Sequence, residues 1–338
     1  MIEVRNLTKR YGNHIAVEDL NFTIEQGRIY GFLGPNGAGK STTMNIMTGY
    51  LAPSAGDVLI DGVSIVDMPE KAKAQIGYLP EMPPLYMDMT VREYLSFAAE
   101  LRKMPHRKSR ERCDAVMADL SLTECADRLI RNLSKGFRQR VGLAQALVHE
   151  PEILILDEPM VGLDPKQIIE IRELIRNLGK KHTVILSSHI LAEISEICDT
   201  LLILSGGKLK AVGSPAELSR EQSGTIVVTV TSPAEKEKLL AALSPKLAKG
   251  KVRLSSDPDG LVRAEITLGE ENFKNNPDLA SDPRRFVSNL LAQSSCPYYS
   301  VEVMASSLEK IFLELTGEKE EPDEKPENGK EAENGSSL

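Results

Sequence analysis

The chain has 338 residues, enough for one large domain and one small domain. Apolar residues make up 41% of it and charged residues 27%, a balance that allows a globular core without disulfides or metal ions. The formal net charge is −8, and nothing in the sequence resembles the basic surface that is typical of nucleic-acid-binding proteins.

Cysteine spacing and hydropathy limit where the protein can act. The four cysteines are far apart and form no C-x-x-C pair, which argues against a zinc site or a redox dithiol and suits a cytosolic protein. The first residues lack the basic-then-apolar pattern of a secretion signal. Because no apolar run comes near the roughly 18 residues that a membrane-spanning helix needs, we expect any membrane role to depend on a partner.

The first third of the chain predicts short strands separated by glycine-rich turns. Strands are predicted at residues 2–10, 15–25, 28–33, 57–60 and 75–79, and a helix at residues 40–49. The following segment, residues 90–150, is predicted to be helical throughout. Thr90 and Glu93 form a capping box at its start, and Ser134 is a second N-cap that opens a helix reaching about His149.

After residue 150 strands alternate with helices. Strands are predicted at residues 152–157, 183–187 and 200–204, with helices after Pro165 and His189. This alternation is typical of a doubly wound parallel sheet. We therefore expect an α/β first domain over residues 1–220, with a helical subdomain at about residues 82–150.

From Thr225 the pattern restarts as β-α-β-β-α-β, the order of a ferredoxin-like α+β fold. Strands are predicted at residues 225–231, 251–255, 261–268 and 299–304, and helices at residues 233–243, 283–294 and 306–316. The second domain is therefore expected over residues 224–316. Residues 317–338 hold eight carboxylates and three lysines, and we expect them to form a disordered acidic tail.

A glycine-rich motif follows the third predicted strand. It matches G-x-x-x-x-G-K-[ST] and consists of Gly34, Pro35, Asn36, Gly37, Ala38, Gly39, Lys40 and Ser41. Between a strand and a helix, such a loop lets backbone amides and the positive helix end bind phosphate oxygens. Lys40 is predicted to contact the β- and γ-phosphates, Ser41 to bind Mg²⁺, and Thr42 to reach the α-phosphate.

Two carboxylates follow the apolar run at residues 153–156. Asp157 is expected to hold Mg²⁺ through its hydration shell, and Glu158 to act as the general base that polarises the attacking water. His189 follows the next strand, at the carboxyl edge of the predicted sheet, where an imidazole can reach the γ-phosphate. The four other histidines are interpreted as ordinary structural residues: His14, His106, His149 and His182.

Together these motifs resemble those of the ABC ATPase family, over residues 1 to about 217. The segment Leu133-Ser134-Lys135-Gly136-Phe137-Arg138-Gln139-Arg140 is similar to the family's signature motif, usually Leu-Ser-Gly-Gly-Gln. The segment Gly162-Leu163-Asp164 resembles the D-loop, Glu81 stands at the Q-loop, and Tyr11 matches the aromatic residue that stacks on adenine.

The resemblance implies a P-loop NTPase cassette, in which a RecA-like core carries an antiparallel β subdomain and a helical subdomain. It also implies an ATPase that binds ATP and Mg²⁺ between two copies packed head to tail as a homodimer, with the signature of one copy facing the phosphate loop of the other. The nucleotide-binding residues implied beyond the phosphate loop are Tyr11, Glu81, Ser134, Gly136 and Asp164. The metal ligands implied are Ser41, Asp157 and Glu81.

Some positions depart from the family's pattern. Lys135 and Phe137 stand where Gly and Gln are usual in the signature, and Glu81 replaces a glutamine. We hypothesise that Lys135 adds favourable charge near the opposing γ-phosphate. A degenerate cassette that does not hydrolyse ATP stays open as an alternative, although the residues needed for hydrolysis are all present.

The signature, the Gly-Tyr-Leu-Pro-Glu segment at the Q-loop and the helical ending at residues 307–316 resemble bacterial ABC-2-type export ATPases, with the gliding-motility-associated branch as the nearest resemblance. Such proteins act as homodimers beneath a separate transmembrane permease. The resemblance therefore implies a peripheral protein at the cytoplasmic face of the bacterial membrane that powers export of an unidentified substrate. The alternative is a soluble ABC ATPase acting on ribosomes or DNA.

Residues 82–89 are unusually apolar for a loop and include three methionines. One interpretation is that they pack into the core of the helical subdomain. The other is that they form an adaptable surface that receives the permease, because methionine suits such surfaces.

Overall fold

The protein is described from a computed structural model. The structure describes residues 1–221, 225–243, 251–256, 260–269, 282–305 and 308–316, together with Asn272 and Leu279. The expected acidic tail, residues 317–338, lies outside the described residues.

A six-stranded sheet forms the centre of the first part of the chain. Its strands are β3 (Ile29–Leu33), β6 (Ile76–Leu79), β7 (Ile153–Leu156), β8 (Thr183–Ser188), β9 (Thr200–Ser205) and β10 (Lys208–Gly213). Their order is β10-β9-β3-β8-β7-β6, parallel from β9 to β6. All residues of β3, β7 and β8 are buried, as expected for parallel strands covered on both faces. The predicted parallel sheet is confirmed.

The antiparallel edge strand β10 is absent from the predicted elements. It pairs with β9 across a two-residue turn made by Gly206 and Gly207, which both have positive φ. Two such glycines between strands favour a tight hairpin, so the sequence did carry a signal for this strand.

An antiparallel sheet packs against the central one. Its strands are β1 (Ile2–Tyr11), β2 (His14–Ile24), β4 (Ala55–Ile60) and β5 (Val63–Ser64), in the order β2-β1-β4-β5. The two sheets share one apolar core, at which Phe22 of β2 meets Phe32 of β3 edge to face with ring centroids 5.5 Å apart. Helix α1 (Lys40–Met47) buries Met44 and Met47 in the same core. This packing fixes both ends of the glycine-rich loop between β3 and α1.

A helical segment follows β6. Its helices are α3 (Val91–Leu101), α4 (His106–Asp119) and α5 (Lys135–Leu147), and the short α2 (Pro69–Lys73) precedes β6. The capping box is confirmed: the Glu93 amide donates to the Thr90 hydroxyl at 3.2 Å, and the Thr90 amide donates to the Glu93 carboxylate at 2.8 Å. Ser134 caps α5 as predicted.

The prediction of continuous helix over residues 90–150 is wrong between α4 and α5. Ser121 has a left-handed φ of 57°, which turns the chain as α4 ends. Two short 3₁₀ turns follow, Thr123–Cys125 and Ile130–Asn132. Their apolar residues Cys125 and Ile130 are buried, so the apolar pattern here serves the packing of irregular turns.

Three more helices complete the first part of the chain. They are α6 (Pro165–Gly179), α7 (Leu191–Ile194) and α8 (Pro215–Glu221). Asp164 caps α6, accepting a hydrogen bond from the Gln167 amide at 2.9 Å. The helix predicted after His189 is reduced to the four residues of α7. Over the residues that the structure describes, no helix is both long and apolar enough to cross a membrane.

The described residues after Thr225 form a third sheet with helices on it. The strands are β11 (Thr225–Ser232), β12 (Lys251–Ser256), β13 (Val262–Gly269) and β14 (Ser300–Ala305), and the helices are α9 (Lys236–Leu243) and α10 (Pro283–Gln293). The sheet order is β12-β13-β11-β14, with every pairing antiparallel. Val228, Leu239 and Leu291 share the core between the sheet and the two helices.

The last described helix, α11 (Leu308–Thr316), returns to the first part of the chain. Phe312 is buried in the core that also holds Leu201 and Ile203 of β9. At the end of the helix, the Ser205 hydroxyl donates to the Thr316 carbonyl at 3.4 Å. Because β9 pairs with β3, this helix braces the strand that precedes the glycine-rich loop.

His149, just after α5, links the helical segment to the central sheet. Its Nε2 lies 3.1 Å from the Ile76 carbonyl oxygen in β6, and its buried Nδ1 meets no hydrogen-bond partner among the described residues. Burial, reinforced by the nearby charge of Arg102, lowers the pKa of His149 to about 4. The folded protein therefore holds this imidazole neutral.

We predict that acidification below pH 6.5 destabilises the fold, because the unfolded chain binds the His149 proton before the folded chain does. The neutral His149 contributes its full stabilisation of the fold above pH 6.5. This contribution to the free energy of unfolding falls by on the order of 2 kcal/mol as the pH falls towards 4. Urea unfolding at pH 7.5 and pH 5 measures it. In the His149→Gln variant, whose amide can still donate to Ile76, the loss should shrink; an equal loss in both proteins would contradict the assignment.

Candidate functional site

The glycine-rich motif forms a tight loop between β3 and α1. Gly37 and Gly39 have left-handed φ values of 80° and 100°, which other residues rarely adopt. A Cβ at Gly34 would lie 2.3 Å from the Leu204 carbonyl oxygen, so only glycine lets the loop pass this close to β9. These constraints produce the kind of turn that an amide nest for phosphate requires.

Lys40 lies over this loop and is almost completely buried. Its Nζ donates to the Gly34 carbonyl at 2.6 Å and to the Pro35 carbonyl at 3.2 Å, and it lies 3.6 Å from Glu158 Oε1. The ammonium thus links the loop to the acidic end of β7. A buried cation at this place can bind a phosphate oxygen with little competition from water.

Asp157 and Ser41 offer oxygen ligands at one point of the site. The Ser41 hydroxyl, in the first turn of α1, donates to Asp157 Oδ1 at 3.2 Å. Mg²⁺ in proteins takes one or two carboxylates and fills its remaining positions with waters and substrate phosphates. The chemistry of this pair, one carboxylate and one hydroxyl beside a phosphate-binding loop, fits that ion.

Glu158 and His189 lie together at the carboxyl edge of the central sheet. His189 Nδ1 lies 3.1 Å from Glu158 Oε2, and the carboxylate is buried whereas the imidazole is partly exposed. Because an ionised carboxylate only accepts hydrogen bonds, Nδ1 is the donor in this contact. Glu158 also has a left-handed φ of 45°, a strained conformation for a residue that is not glycine.

Most of these groups line one cleft of about 420 Å³, a volume within the range of small-molecule sites, whereas the buried Asp157 lies behind Ser41 and is not part of the lining. The cleft is lined by Tyr11, His14, Ala16, Asn36, Gly37, Ala38, Gly39, Lys40, Ser41, Thr42, Glu81, Glu158, Val161 and His189. Tyr11 is about half exposed, with the Lys9 ammonium 5.3 Å from its ring centroid. His14, interpreted from sequence as structural, pairs with Tyr11 across the β1–β2 turn and lies in the same lining.

The signature residues lie elsewhere on the chain. Ser134 is exposed at the start of α5, where its hydroxyl accepts from the Phe137 amide at 3.4 Å. Gly136 packs against Gln167 of α6 so closely that a Cβ would approach its side chain to 2.9 Å. Both residues line a small pocket that is distinct from the cleft around the phosphate loop.

Asp164 and Lys135 are also placed by local contacts. Asp164 caps α6, the helix whose Gln167 packs against Gly136. The Lys135 ammonium lies against Gly162, where a Cβ would come within 2.0 Å of Nζ. The signature and the D-loop segment therefore touch within a single chain, and the phosphate loop is not part of that contact.

Sequence reasoning missed two polar residues that bond to the acidic pair or to the residue that follows it. Ser187, at the end of β8, bonds to both Asp157 and Glu158, and Gln139 of α5 donates through Nε2 to the Pro159 carbonyl at 3.0 Å. The only sequence signal for Ser187 was a polar residue at the end of an apolar strand. Gln139 lies inside the signature segment, but no separate role was predicted for it.

The chain is similar to ATP-binding proteins of ABC transporters. The family described as "ABC transporter" matches residues 17–161. The chain is 36% identical over 323 residues to the uncharacterized ABC transporter ATP-binding protein YhcH of Bacillus subtilis (strain 168), covering 95% of this chain and 97% of that protein. It is 32% identical over 321 residues to the Nod factor export ATP-binding protein I of Ralstonia nicotianae (strain ATCC BAA-1114 / GMI1000), covering 94% of each.

Solved structures of ATP-binding subunits share the fold. The structure of an ATP binding subunit of an ABC transporter aligns with a TM-score of 0.60 at 33% identity, over 65% of this chain and 92% of that chain. The dimeric, post-hydrolysis state of the ATP-binding cassette MJ0796, bound to ADP and Pi, aligns with a TM-score of 0.58 at 25% identity, over 63% of this chain and 98% of that chain. The cassette fold expected from the sequence is confirmed.

Proposed function

Because the chain belongs to the family of ABC transporter ATP-binding proteins, we propose that it binds and hydrolyses ATP in the cleft around Lys40 to power export through a separate membrane permease. The observation that carries this proposal is the meeting of the phosphate loop with the buried acidic pair. Lys40 lies 3.6 Å from Glu158, and Ser41 lies 3.2 Å from Asp157. The relative named for Nod factor export supports the direction, and the soluble alternative acting on ribosomes or DNA is not favoured.

Each part of the cleft has one task in this proposal. The loop amides and Lys40 bind the phosphates, and the exposed Tyr11 ring stacks on the base. Glu158 accepts a proton from the attacking water while the water oxygen bonds to the γ-phosphorus and the bond to ADP breaks. His189 holds the Glu158 carboxylate in place through Nδ1.

Mg²⁺ would be held by Ser41 and Asp157, with Glu81 in the lining of the same cleft. Bound there, it would supply positive charge against the phosphate oxygens. A buried cleft makes such charge more effective than it is in water. The degenerate, non-hydrolysing alternative is not favoured, since Lys40, Glu158 and His189 are all present and lie together in this cleft.

The signature residues act in a second copy of the chain. Ser134 and the N-terminus of α5 are exposed and lie outside the cleft of their own chain. The positive end of a 13-residue helix can stabilise a γ-phosphate presented by a partner. The dimeric state of the similar cassette MJ0796 supports a homodimer. We propose that its two copies pack head to tail, with Gly136 and Asp164 at the same interface.

The C-terminal part is proposed to be a ferredoxin-like domain over residues 224–316, beside a cassette over residues 1–220. The sheet order β12-β13-β11-β14 and the alternation of its helices support this assignment. Its packing through α11 onto β9 favours a bracing role. The motif pattern at the signature and the Q-loop supports membership of the gliding-motility-associated branch of ABC-2-type exporters.

The apolar segment at residues 82–89 is proposed to contact the permease and to hold the protein at the cytoplasmic face of the membrane. Leu85 and Met89 pack onto the core, whereas Met82, Tyr86 and Met87 are exposed. The Tyr86 ring is anchored against Phe97 of α3 at a centroid distance of 5.4 Å. Each of the two interpretations from the sequence therefore fits part of the segment: some side chains pack into the core, and the exposed ones are available to a partner.

We predict that the double change Tyr86→Asp and Met87→Asp abolishes co-purification with the permease from solubilised native membranes, because two charges would be buried at an apolar contact. The matched control is Ile169→Asp on α6, an apolar side chain that is also exposed. Mass spectrometry of the proteins retained by tagged full-length chain gives the result. Retention of the same multi-spanning partner by the double variant would place the contact elsewhere.

We predict that Glu158→Gln keeps ATP binding but lowers turnover by about 10²- to 10⁴-fold, the usual contribution of a positioned general base. Lys40→Ala should weaken ATP binding itself. Phosphate release and the fluorescence of a labelled ATP analogue measure the two effects. Matched controls on α9, Lys236→Ala and Glu237→Gln, should behave as wild type, and unaltered turnover in the Glu158 variant would remove that residue from the mechanism.

A further inference from the structure

Ser187 lies where β8 passes the acidic end of β7. Leu156 and Leu186 are register partners in these parallel strands, so the residues after them, Asp157 and Ser187, lie side by side. Ser187 is completely buried. A hydroxyl in such a place must find its hydrogen bonds within the protein.

The Ser187 hydroxyl uses both of its bonding directions on the two residues of the acidic pair. It donates to Asp157 Oδ1 at 2.6 Å and accepts from the Glu158 backbone amide at 2.8 Å. One side chain therefore fixes the carboxylate proposed to hold the metal ion and the backbone of the proposed general base. It lies in the strand next to theirs, about thirty residues along the chain.

The backbone at Glu158 needs such support. Its left-handed φ of 45° is a strained conformation that costs on the order of 1 kcal/mol and persists only when its surroundings enforce it. The Ser187 hydroxyl accepts a hydrogen bond from the Glu158 amide, and the Gln139 side chain donates one to the carbonyl of the next residue, Pro159. The pair of contacts sets the direction in which the Glu158 carboxylate leaves the strand.

The contact with Asp157 matters most once a metal ion is bound. In the structure Ser41 and Ser187 both donate to Asp157 Oδ1. If the Ser41 hydroxyl turns to Mg²⁺, Ser187 keeps its hydrogen bond to Oδ1. That remaining hydrogen bond would keep the carboxylate oriented beside the ion.

We propose that Ser187 is a positioning residue for ATP hydrolysis. It orients Asp157 to bind Mg²⁺ and Glu158 to accept a proton from the attacking water, and it does not contact the nucleotide. This inference rests on the proposed function, since it assumes the roles given to Asp157 and Glu158. It predicts a defect that depends on the metal ion. A residue with a merely structural role would lower stability and nucleotide binding together.

The test compares Ser187→Ala with Ser188→Ala in the full-length protein. Ser188 is the neighbouring buried serine, but its hydroxyl donates to Glu193 at 2.8 Å, so its loss is a matched control for burial and size. Three quantities are measured for each variant. They are the affinity for a fluorescent ATP analogue in EDTA, the Mg²⁺ concentration that half-saturates turnover, and kcat.

For Ser187→Ala, affinity in EDTA should stay near the wild-type value. The half-saturating Mg²⁺ concentration should rise, and kcat should fall, each by about 10- to 100-fold, the worth of one hydrogen bond to a charged group. Ser188→Ala should leave the half-saturating Mg²⁺ concentration unchanged. Wild-type values of kcat and of the half-saturating Mg²⁺ concentration in Ser187→Ala would overturn the proposal. A loss of analogue affinity in EDTA as large as the loss of kcat would also overturn it.

A further variant covers the case in which Ser187→Ala fails to fold. Ser187→Cys keeps a weaker donor at the same position and should give intermediate values of kcat and of the half-saturating Mg²⁺ concentration. Wild-type values in this variant would overturn the proposal. Failure of the proposed function is recognised separately, because the wild-type protein would then show no Mg²⁺-dependent turnover.

Discussion

Two carboxylates, Asp157 and Glu158, are buried side by side at the end of one strand, and the first part of the chain is arranged to meet their charge. Burying a carboxylate is costly unless it is paired and hydrogen-bonded. Here Lys40, Ser41, Ser187 and His189 supply the partners, at distances from 2.6 to 3.6 Å. Lys40 and Ser41 come from the start of α1, which follows β3, and Ser187 and His189 come from the end of β8 and the residue just after it. They meet because parallel strands bring their carboxyl ends to one edge of the sheet.

Under the proposed function, the same arrangement leaves each chain with an incomplete site. The cleft would supply phosphate binding, a metal position and a general base, whereas the exposed start of α5 lies apart from it. A helix N-terminus with a serine cap stabilises negative charge only when that charge is brought to it. Closure of two copies around ATP would join the parts, and hydrolysis would then release the pair by removing the charge that favours the closed state.

Local motifs were predictable from the sequence, but contacts between distant segments were not. The phosphate loop, the capping box at Thr90 and the carboxyl-edge placement of His189 follow from patterns within a few residues. The contacts of Ser187 with the acidic pair were not predicted, because they depend on the register of β8 against β7, which no local sequence pattern indicates. The irregular segment after Ser121 was mistaken for helix, because buried apolar residues in 3₁₀ turns imitate helical spacing.

Complementation between two inactive variants measures the central claim directly. Lys40→Ala removes the phosphate-binding charge, and Ser134→Arg blocks the exposed end of α5, so neither protein alone should hydrolyse ATP. Mixed, they can form a dimer in which one cleft pairs an intact phosphate loop with an intact signature, and turnover should reappear as the mixing ratio approaches one. Full turnover by Ser134→Arg alone, as a strict monomer, would contradict a site shared between two chains.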